Sequence, residues 1–172
     1  YFDNTLFVLV GDHGFSTPNQ VTDIDMLKFH VPLLVIGPDV VRKYGHTNST
    51  VGAQVDIAPT VAGLMGGDTT YSCWGRDLLN INDAGFAVIK PSGSDPTTAI
   101  IDDNKVLVKS TDNNATLYNY ELLPKASANT LHDAVDTEKL EHRLDAYIVS
   151  ATSTLLRGKA GIKTPDNRVA VN

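Results

Sequence analysis

Two continuous apolar runs near the start of the chain predict two buried strands. They cover residues 5–10 and 31–36, and each ends at a glycine, Gly11 or Gly37. Continuous rather than alternating hydrophobicity is typical of strands that are buried on both faces, as in a parallel sheet. Pro32 lies near the start of the second run, where a missing N–H is tolerated. The pattern therefore predicts that both runs are strands of a parallel sheet.

A helical segment follows at residues 56–65. Asp56 can cap its N-terminus, Pro59 falls in the first turn, where it costs no hydrogen bond, and Gly66 ends it. Together with the two apolar runs, this helix gives the order strand, loop, strand, helix. That order is typical of an α/β fold. We therefore predict that residues 1–80 form the C-terminal segment of a larger α/β domain.

The hydrophobic pattern changes after residue 80. Short β-rich segments at residues 85–89, 99–101, 105–109 and 116–120, the last three separated by Asp/Asn turns, predict antiparallel hairpins. Residues 137–156 repeat apolar positions at helical spacing, with Asp136 or Thr137 as the cap. The tail from residue 162 has no periodicity and is expected to be mobile. Residues 81–172 are thus predicted to be a small α+β subdomain with a mobile tail.

The composition excludes several classes of protein. A formal net charge of -6 leaves no basic stripe to neutralise phosphates, so we expect no nucleic-acid partner. The single cysteine, Cys73, cannot form an internal disulfide. No apolar run reaches the roughly 18 residues that a transmembrane helix needs. The chain opens at Tyr1 without an initiator methionine, so we expect it to be a segment of a longer polypeptide.

The most informative local feature is the turn Gly11-Asp12-His13-Gly14, at the end of the first apolar run. Parallel α/β sheets bind ligands beyond the carboxyl ends of their strands, where this turn is predicted to lie. Adjacent carboxylate and imidazole groups suit a divalent ion such as Zn²⁺ or Mn²⁺. A polar turn with an exposed histidine is the competing interpretation. Two ligands are also fewer than the roughly four that such ions need.

Four motifs extend this evidence along the chain. They are F-D-N-T with the strand and the Gly-Asp-His-Gly turn at 2–14, H-V-P-L-L-V at 30–35, Q-V-D-I-A-P-T at 54–60 and G-R-D-L-L at 75–79. In this order the chain resembles the sulfatase domain of the alkaline phosphatase superfamily, especially the lipoteichoic acid synthase and phosphoglycerol transferase branch. The resemblance implies an α/β fold: the C-terminal portion of an alkaline-phosphatase-like sheet sandwiched by helices. A small antiparallel β subdomain and a C-terminal helix would follow, although residues 80–172 match only loosely.

The resemblance also implies a metal-dependent enzyme with Asp12 and His13 as metal ligands. The ion would be divalent, Mn²⁺ or Zn²⁺ rather than Mg²⁺ or Ca²⁺, and would lower the pKa of a threonine, serine or formylglycine nucleophile. In the family that nucleophile lies upstream of the matched segment. We therefore expect no catalytic residue in this chain, which alone would be inactive.

Partners and location follow from the same resemblance. The expected partners are the remainder of the same polypeptide, which carries the catalytic part, and a phospho- or sulfo-ester substrate, with a lipid-linked ester among the candidates. The family implies a cell-membrane protein whose catalytic domain is extracytoplasmic or periplasmic.

Three functions remain open at this point. A phosphoglycerol or phosphoethanolamine transferase and a true sulfatase would share this frame, and the lead-in at residues 2–5 favours the transferase. The third is a non-catalytic binding or scaffold fragment. His30 is a candidate contact for substrate oxygens, against a structural or half-exposed histidine. Arg76 and Asp77 are expected to fix the end of the α/β part rather than to touch the substrate.

Overall fold

The computed structural model describes residues 2–16, 18, 20–66, 70–94, 96–110, 112, 114–122 and 125–158, and the backbone of 161–162. Its strands and helices, in chain order, are β1 (Phe7–Val10), α1 (Met26–Phe29), β2 (Leu33–Ile36), α2 (Val40–Tyr44), α3 (Ile57–Met65), β3 (Tyr71–Ser72), β4 (Ala87–Ile89), β5 (Thr98–Asp102), β6 (Lys105–Lys109), β7 (Ala115–Glu121), β8 (Ser127–Leu131), α4 (Ala134–Leu156) and β9 (Gly161–Ile162). The tail predicted to be mobile lies, beyond residue 162, outside the described residues.

β1 and β2 form a two-stranded antiparallel sheet, with Phe7 opposite Ile36 and Val10 opposite Leu33. The prediction of two parallel strands buried on both faces is therefore wrong for this chain. Leu9 is 51% exposed, because pairing two strands covers their shared edge and leaves the faces of the ribbon open. The continuous apolar pattern marks faces that the described residues leave only partly covered.

β4 to β8 form a five-stranded antiparallel sheet in chain order, which we call the C-terminal sheet. The hairpins predicted for this part are confirmed, and β6 has the predicted bounds, Lys105–Lys109. β8 was not predicted, because the S-A-N-T-L sequence of Ser127–Leu131 has few of the β-branched and aromatic residues that favour strands. The observed α/β architecture with a small antiparallel sheet and a C-terminal helix confirms the predicted fold class.

The C-terminal sheet is buried on both faces. Leu140 and Leu144 of α4 pack against one face of the sheet. The side chains on that face are Ile100, Leu107 and Leu117. Residues 21–29, which follow the turn at residues 11–14, cover the other face, with Ile24 and Met26 buried against Ala99, Val106, Val108 and Tyr118. Because side chains alternate along a strand, neighbours such as Ala99 and Ile100 serve opposite layers. Burial on both faces thus holds for β5 and β6.

Helix α4 begins earlier than predicted. Asp133 caps it, since its carboxylate accepts a hydrogen bond from the Asp136 N–H at 3.0 Å. Ion pairs also tie the helix to the sheet: Lys109 lies 2.9 Å from both Glu141 and Asp145, and Arg143 pairs with Asp102. α4 is therefore attached by leucines at its centre and by charges beside them. Among the described residues, no helix is both long and apolar enough to cross a membrane.

Candidate metal turn

Asp12 and His13 follow β1 directly and extend into solvent. Their side chains are 89% and 63% exposed, and His13 Nε2 lies 3.7 Å from Asp12 Oδ2. The His13 backbone N–H donates to Asp12 Oδ1 at 2.8 Å. This hydrogen bond, with the nearby imidazole, holds the pKa of Asp12 below its usual value. A carboxylate that stays ionised and an imidazole therefore face the same space.

The two ring nitrogens of His13 have different surroundings. Nδ1 lies 3.0 Å from the Gly14 carbonyl oxygen. A carbonyl can only accept, so in the neutral tautomer whose Nδ1 N–H donates to it, Nε2 has the lone pair. Metal-binding histidines commonly use this arrangement, in which the other N–H donates to a backbone carbonyl. The donor chemistry of the turn therefore fits a divalent ion.

The turn is nevertheless only part of a coordination sphere. Among the described residues, no group of three or more His, Cys, Asp or Glu side chains could hold a metal. Ions such as Zn²⁺ take about four ligands. Asp12 and His13 would contribute two of these, and the remaining ligands would have to come from water, substrate or another part of the polypeptide.

The glycines of the turn permit close backbone approach. The Gly14 N–H donates to the Lys28 carbonyl at 2.7 Å, and a Cβ on Gly14 would lie 3.2 Å from that oxygen. A Cβ on Gly11 would lie 3.2 Å from Val31 Cβ. Neither glycine has a positive φ, so close packing rather than an unusual torsion explains them. Through Lys28 the turn is joined to the segment that covers the C-terminal sheet.

Gln54 is a second support of the turn, and it was not predicted from the sequence. Its Nε2 donates to the Gly11 carbonyl at 2.8 Å and to the Asp12 carbonyl at 2.9 Å. The available signal was its place at the start of the Q-V-D motif. That motif predicted a helix start, and nothing in a local pattern shows that a side chain reaches backbone more than forty residues earlier.

Asp56 plays a different part from the predicted one. It stands at the N-terminus of α3, but its side chain makes no capping hydrogen bond to that helix. The fully buried carboxylate instead accepts from the Ala53 N–H at 2.7 Å, the Arg76 N–H at 2.7 Å and Arg76 Nη2 at 3.2 Å. The expectation that Arg76 fixes the end of this part of the chain is confirmed.

Phe86 extends this network towards α4. The guanidinium carbons of Arg76 and Arg143 lie 3.9 and 4.0 Å from the centre of its ring. Two cations so close to one ring centre must stack on opposite faces, because they would collide on the same one. Tyr147 meets the ring edge-on, with centroids 5.7 Å apart. Asp56 is thereby connected, through stacked side chains, to the Arg143–Asp102 ion pair.

His30 lies on the wall of the same cleft as Asp12. This cleft, of about 910 Å³, is also lined by His46, Asn48 and Tyr120. The His30 side chain is exposed at the C-terminus of α1. Its assignment as a substrate contact stays a prediction, supported by this shared cleft.

The first part of the chain is similar in sequence to known proteins. The family model described as Sulfatase matches residues 1–67. The multifunctional alkaline phosphatase superfamily protein PehA of Trinickia caryophylli is 29% identical over 86 residues, which cover 45% of this chain and 16% of that protein. The lipoteichoic acid synthase-like protein YvgJ of Bacillus subtilis (strain 168) is 27% identical over 103 residues, covering 52% of this chain and 17% of that protein. The chain thus spans about one sixth of the length of these relatives.

A solved structure extends the likeness to nearly the whole fold. A protein in the alkaline phosphatase superfamily from Vibrio parahaemolyticus superposes with a TM-score of 0.73 over 95% of this chain and 38% of its own. At 20% sequence identity, this match supports the fold alone. The family match contains Asp12, His13, His30 and Gln54, whereas Arg76 and the C-terminal sheet lie beyond it.

Proposed function

We propose that this chain is part of a sulfatase-family protein of the alkaline phosphatase superfamily, and that it supplies an Asp-His pair of ligands to the metal centre of a phosphotransferase or sulfuric ester hydrolase. The observation that carries the proposal is the His13 ring. Its Nδ1 is committed to the Gly14 carbonyl at 3.0 Å, while Nε2 and the Asp12 carboxylate are exposed side by side.

The metal would be Mn²⁺ or Zn²⁺. Carboxylate and neutral imidazole together suit such borderline ions, whereas Mg²⁺ and Ca²⁺ prefer all-oxygen sites. Bound there, the ion would lower the pKa of a hydroxyl nucleophile and screen charge on phosphoryl or sulfuryl oxygens. Asp12 would enter as an anion, because the His13 N–H keeps its pKa low.

The nucleophile and the remaining metal ligands would come from another part of the same polypeptide. The described residues offer no third metal-ligating side chain beside Asp12 and His13. The partly exposed apolar side chains of β1 and β2, among them Leu9 and Leu34, would then be covered by that part. Function would be exerted outside the cytoplasmic membrane, as the family resemblance implies.

A transferase acting on phosphoglycerol or phosphoethanolamine groups is the preferred activity. The F-D-N-T lead-in at residues 2–5 and the likeness to a lipoteichoic acid synthase-like protein support it. A true sulfatase is the second candidate, supported by the family model that matches residues 1–67. His30, on the wall of the cleft, would contact substrate oxygens in either case.

The proposal is tested by titrating the chain with Mn²⁺ and with Zn²⁺ in a calorimeter. We expect binding of one ion per chain and its loss in Asp12→Ala and in His13→Ala. His132→Ala is the matched control, because His132 also adjoins an aspartate, Asp133. Binding that survives both turn substitutions, or no binding at all, would favour a scaffold role for this chain.

The choice between transferase and sulfatase needs a polypeptide that includes the nucleophile. The release of nitrophenol from a nitrophenyl phosphodiester and from the matching sulfate ester distinguishes the two activities. Faster phosphodiester cleavage, abolished by Asp12→Ala, would support the transferase. Preferential sulfate ester cleavage would support the sulfatase.

A further inference from the structure

The Gln54 side chain joins two consecutive carbonyl groups at the point where β1 ends. Its Nε2 lies 2.8 Å from Gly11 O and 2.9 Å from Asp12 O. The last paired residue of β1 is Val10, so neither carbonyl takes part in the strand ladder. Two successive carbonyl oxygens directed at one point repel each other. A primary amide relieves this, because its two N–H groups can donate one hydrogen bond to each.

The requirement is specific to glutamine. Glutamate has the same shape but only accepts hydrogen bonds, so it would face two carbonyl oxygens without a proton to share. Asparagine is one methylene shorter, and lysine would place a positive charge beside the proposed metal ligands. A neutral double donor at this distance is therefore what the turn needs.

Gln54 is itself presented by a rigid support. It opens the 3-10 turn Gln54–Asp56, and the Asp56 carboxylate is fully buried. That carboxylate accepts from the Ala53 N–H at 2.7 Å, while the Asp56 N–H donates to the Ala53 carbonyl at 2.9 Å. These reciprocal bonds close the turn, and the two bonds from Arg76 fix it to the following segment.

We propose that Gln54 is a positioning residue that holds the backbone of the Asp12–His13 turn, so that the carboxylate and the free imidazole nitrogen face one point. The purpose assigned to the held turn rests on the proposed metal function. The hydrogen bonds by which Gln54 holds the turn do not depend on that function. Gln54 acts together with the 2.7 Å hydrogen bond from the Gly14 N–H to the Lys28 carbonyl, which holds the turn at a second point.

The test uses the whole chain with Gln54→Met and Gln54→Glu, which keep the length of the side chain and remove its donors. The matched control is Gln20→Met, the same change at the other, exposed glutamine. The metal-free readout is amide hydrogen exchange of Gly14, whose N–H bonds to Lys28 and not to Gln54. The second readout is Mn²⁺ affinity.

If Gln54 positions the turn, loss of its two hydrogen bonds should raise the Gly14 exchange rate at least about tenfold in both variants. Mn²⁺ affinity should fall roughly 10- to 100-fold, as for other groups that orient metal ligands. Gln20→Met should leave both unchanged. A stability loss without either change would overturn the proposal, because Gln54 would then be only structural.

The two proposals can fail separately. If the unaltered chain binds no Mn²⁺, the metal function fails, and the exchange of Gly14 alone decides the role of Gln54. If the chain binds Mn²⁺ but Gly14 exchange and affinity in both Gln54 variants match those of Gln20→Met, the positioning role is refuted and the metal function stands.

Discussion

The Asp56 carboxylate accepts hydrogen bonds from both the backbone N–H and the guanidinium of Arg76, twenty residues later in the chain, and has no exposed surface. Burying two charges is costly, and the cost is offset only where further hydrogen bonds satisfy both groups. Here Ala53 supplies one of them to the carboxylate. The pair thus fixes the start of α3 to the segment that follows this helix.

Removing the charge of Asp56 should destabilise the chain strongly. We expect Asp56→Asn to lower the free energy of unfolding by about 3–5 kcal/mol, because it leaves the Arg76 guanidinium without its buried partner. Asp83→Asn is the control, since Asp83 is 33% exposed and lies 3.7 Å from the same guanidinium. It should cost less than about 1 kcal/mol. Urea unfolding measures both, and equal losses would contradict the assigned importance of the buried pair.

Gly75 should tolerate no side chain. A Cβ there would lie 1.9 Å from the Val55 carbonyl oxygen, which belongs to the backbone and cannot rotate away. We expect Gly75→Ala to cost at least about 3 kcal/mol, the upper end for overpacking. For Gly63→Ala the nearest atom is Asp77 Oδ2 at 2.6 Å, the end of a movable side chain, so the loss should be smaller. Thermal unfolding of the two variants would show the reverse order if this explanation is wrong.

Alkaline pH should weaken the fold through Tyr118. Burial, with a hydrogen bond to Asp23, raises the pKa of Tyr118 to about 12. The unfolded chain loses this proton above about pH 10, whereas the folded chain keeps it, so stability falls as the pH rises between these values. Stability should drop by about 1 kcal/mol between about pH 9 and about pH 11 through this group.

The alkaline loss should be smaller in Tyr118→Phe, which keeps the ring and removes the hydroxyl. Tyr71→Phe is the control, since the Tyr71 side chain is 39% exposed. Urea unfolding at the two pH values gives the comparison. An unchanged pH dependence in Tyr118→Phe would show that other groups cause it. Burial also raises the pKa values of Tyr120 and Tyr147, which should leave a residual effect of the same sign.

Attachment of α4 should depend on Leu144. This side chain is 0% exposed between the helix and the C-terminal sheet. We expect Leu144→Ala to cost about 2–5 kcal/mol through lost burial and the cavity that remains. Leu156→Ala, on the same helix but 84% exposed, should change stability by less than about 0.5 kcal/mol. Comparable losses in the two variants, measured by denaturant unfolding, would argue against this packing.

Local pattern predicted the elements better than their partners. The strand Lys105–Lys109 and the helix Ile57–Met65 follow from hydrophobic runs and from turn or capping residues. The direction in which β1 pairs does not, because an apolar run records only that a strand should be covered. Ser127–Leu131 escaped prediction because it forms a strand through its neighbour β7 rather than through its own composition.

In the candidate site, too, local features could be predicted from the sequence and long-range contacts could not. Asp12 and His13 are visible in the sequence because the chemistry and the turn lie in adjacent residues. The role of Gln54 depends on hydrogen bonds across 42 and 43 residues, and that of Asp56 on a partner 20 residues away. Contacts at such separations depend on the folded path of the chain, so single-sequence reasoning indicated a helix start instead.

The segment that carries Ile24 and Met26 gives the C-terminal sheet its second covered face. A chimera that exchanged only this sheet between relatives would therefore set both side chains against a foreign surface. Since the Gly14 N–H donates to the Lys28 carbonyl near the end of that segment, the resulting misfit would reach the Asp12–His13 turn without altering any residue in it. A functional graft should transfer residues 21–29 together with the sheet they cover.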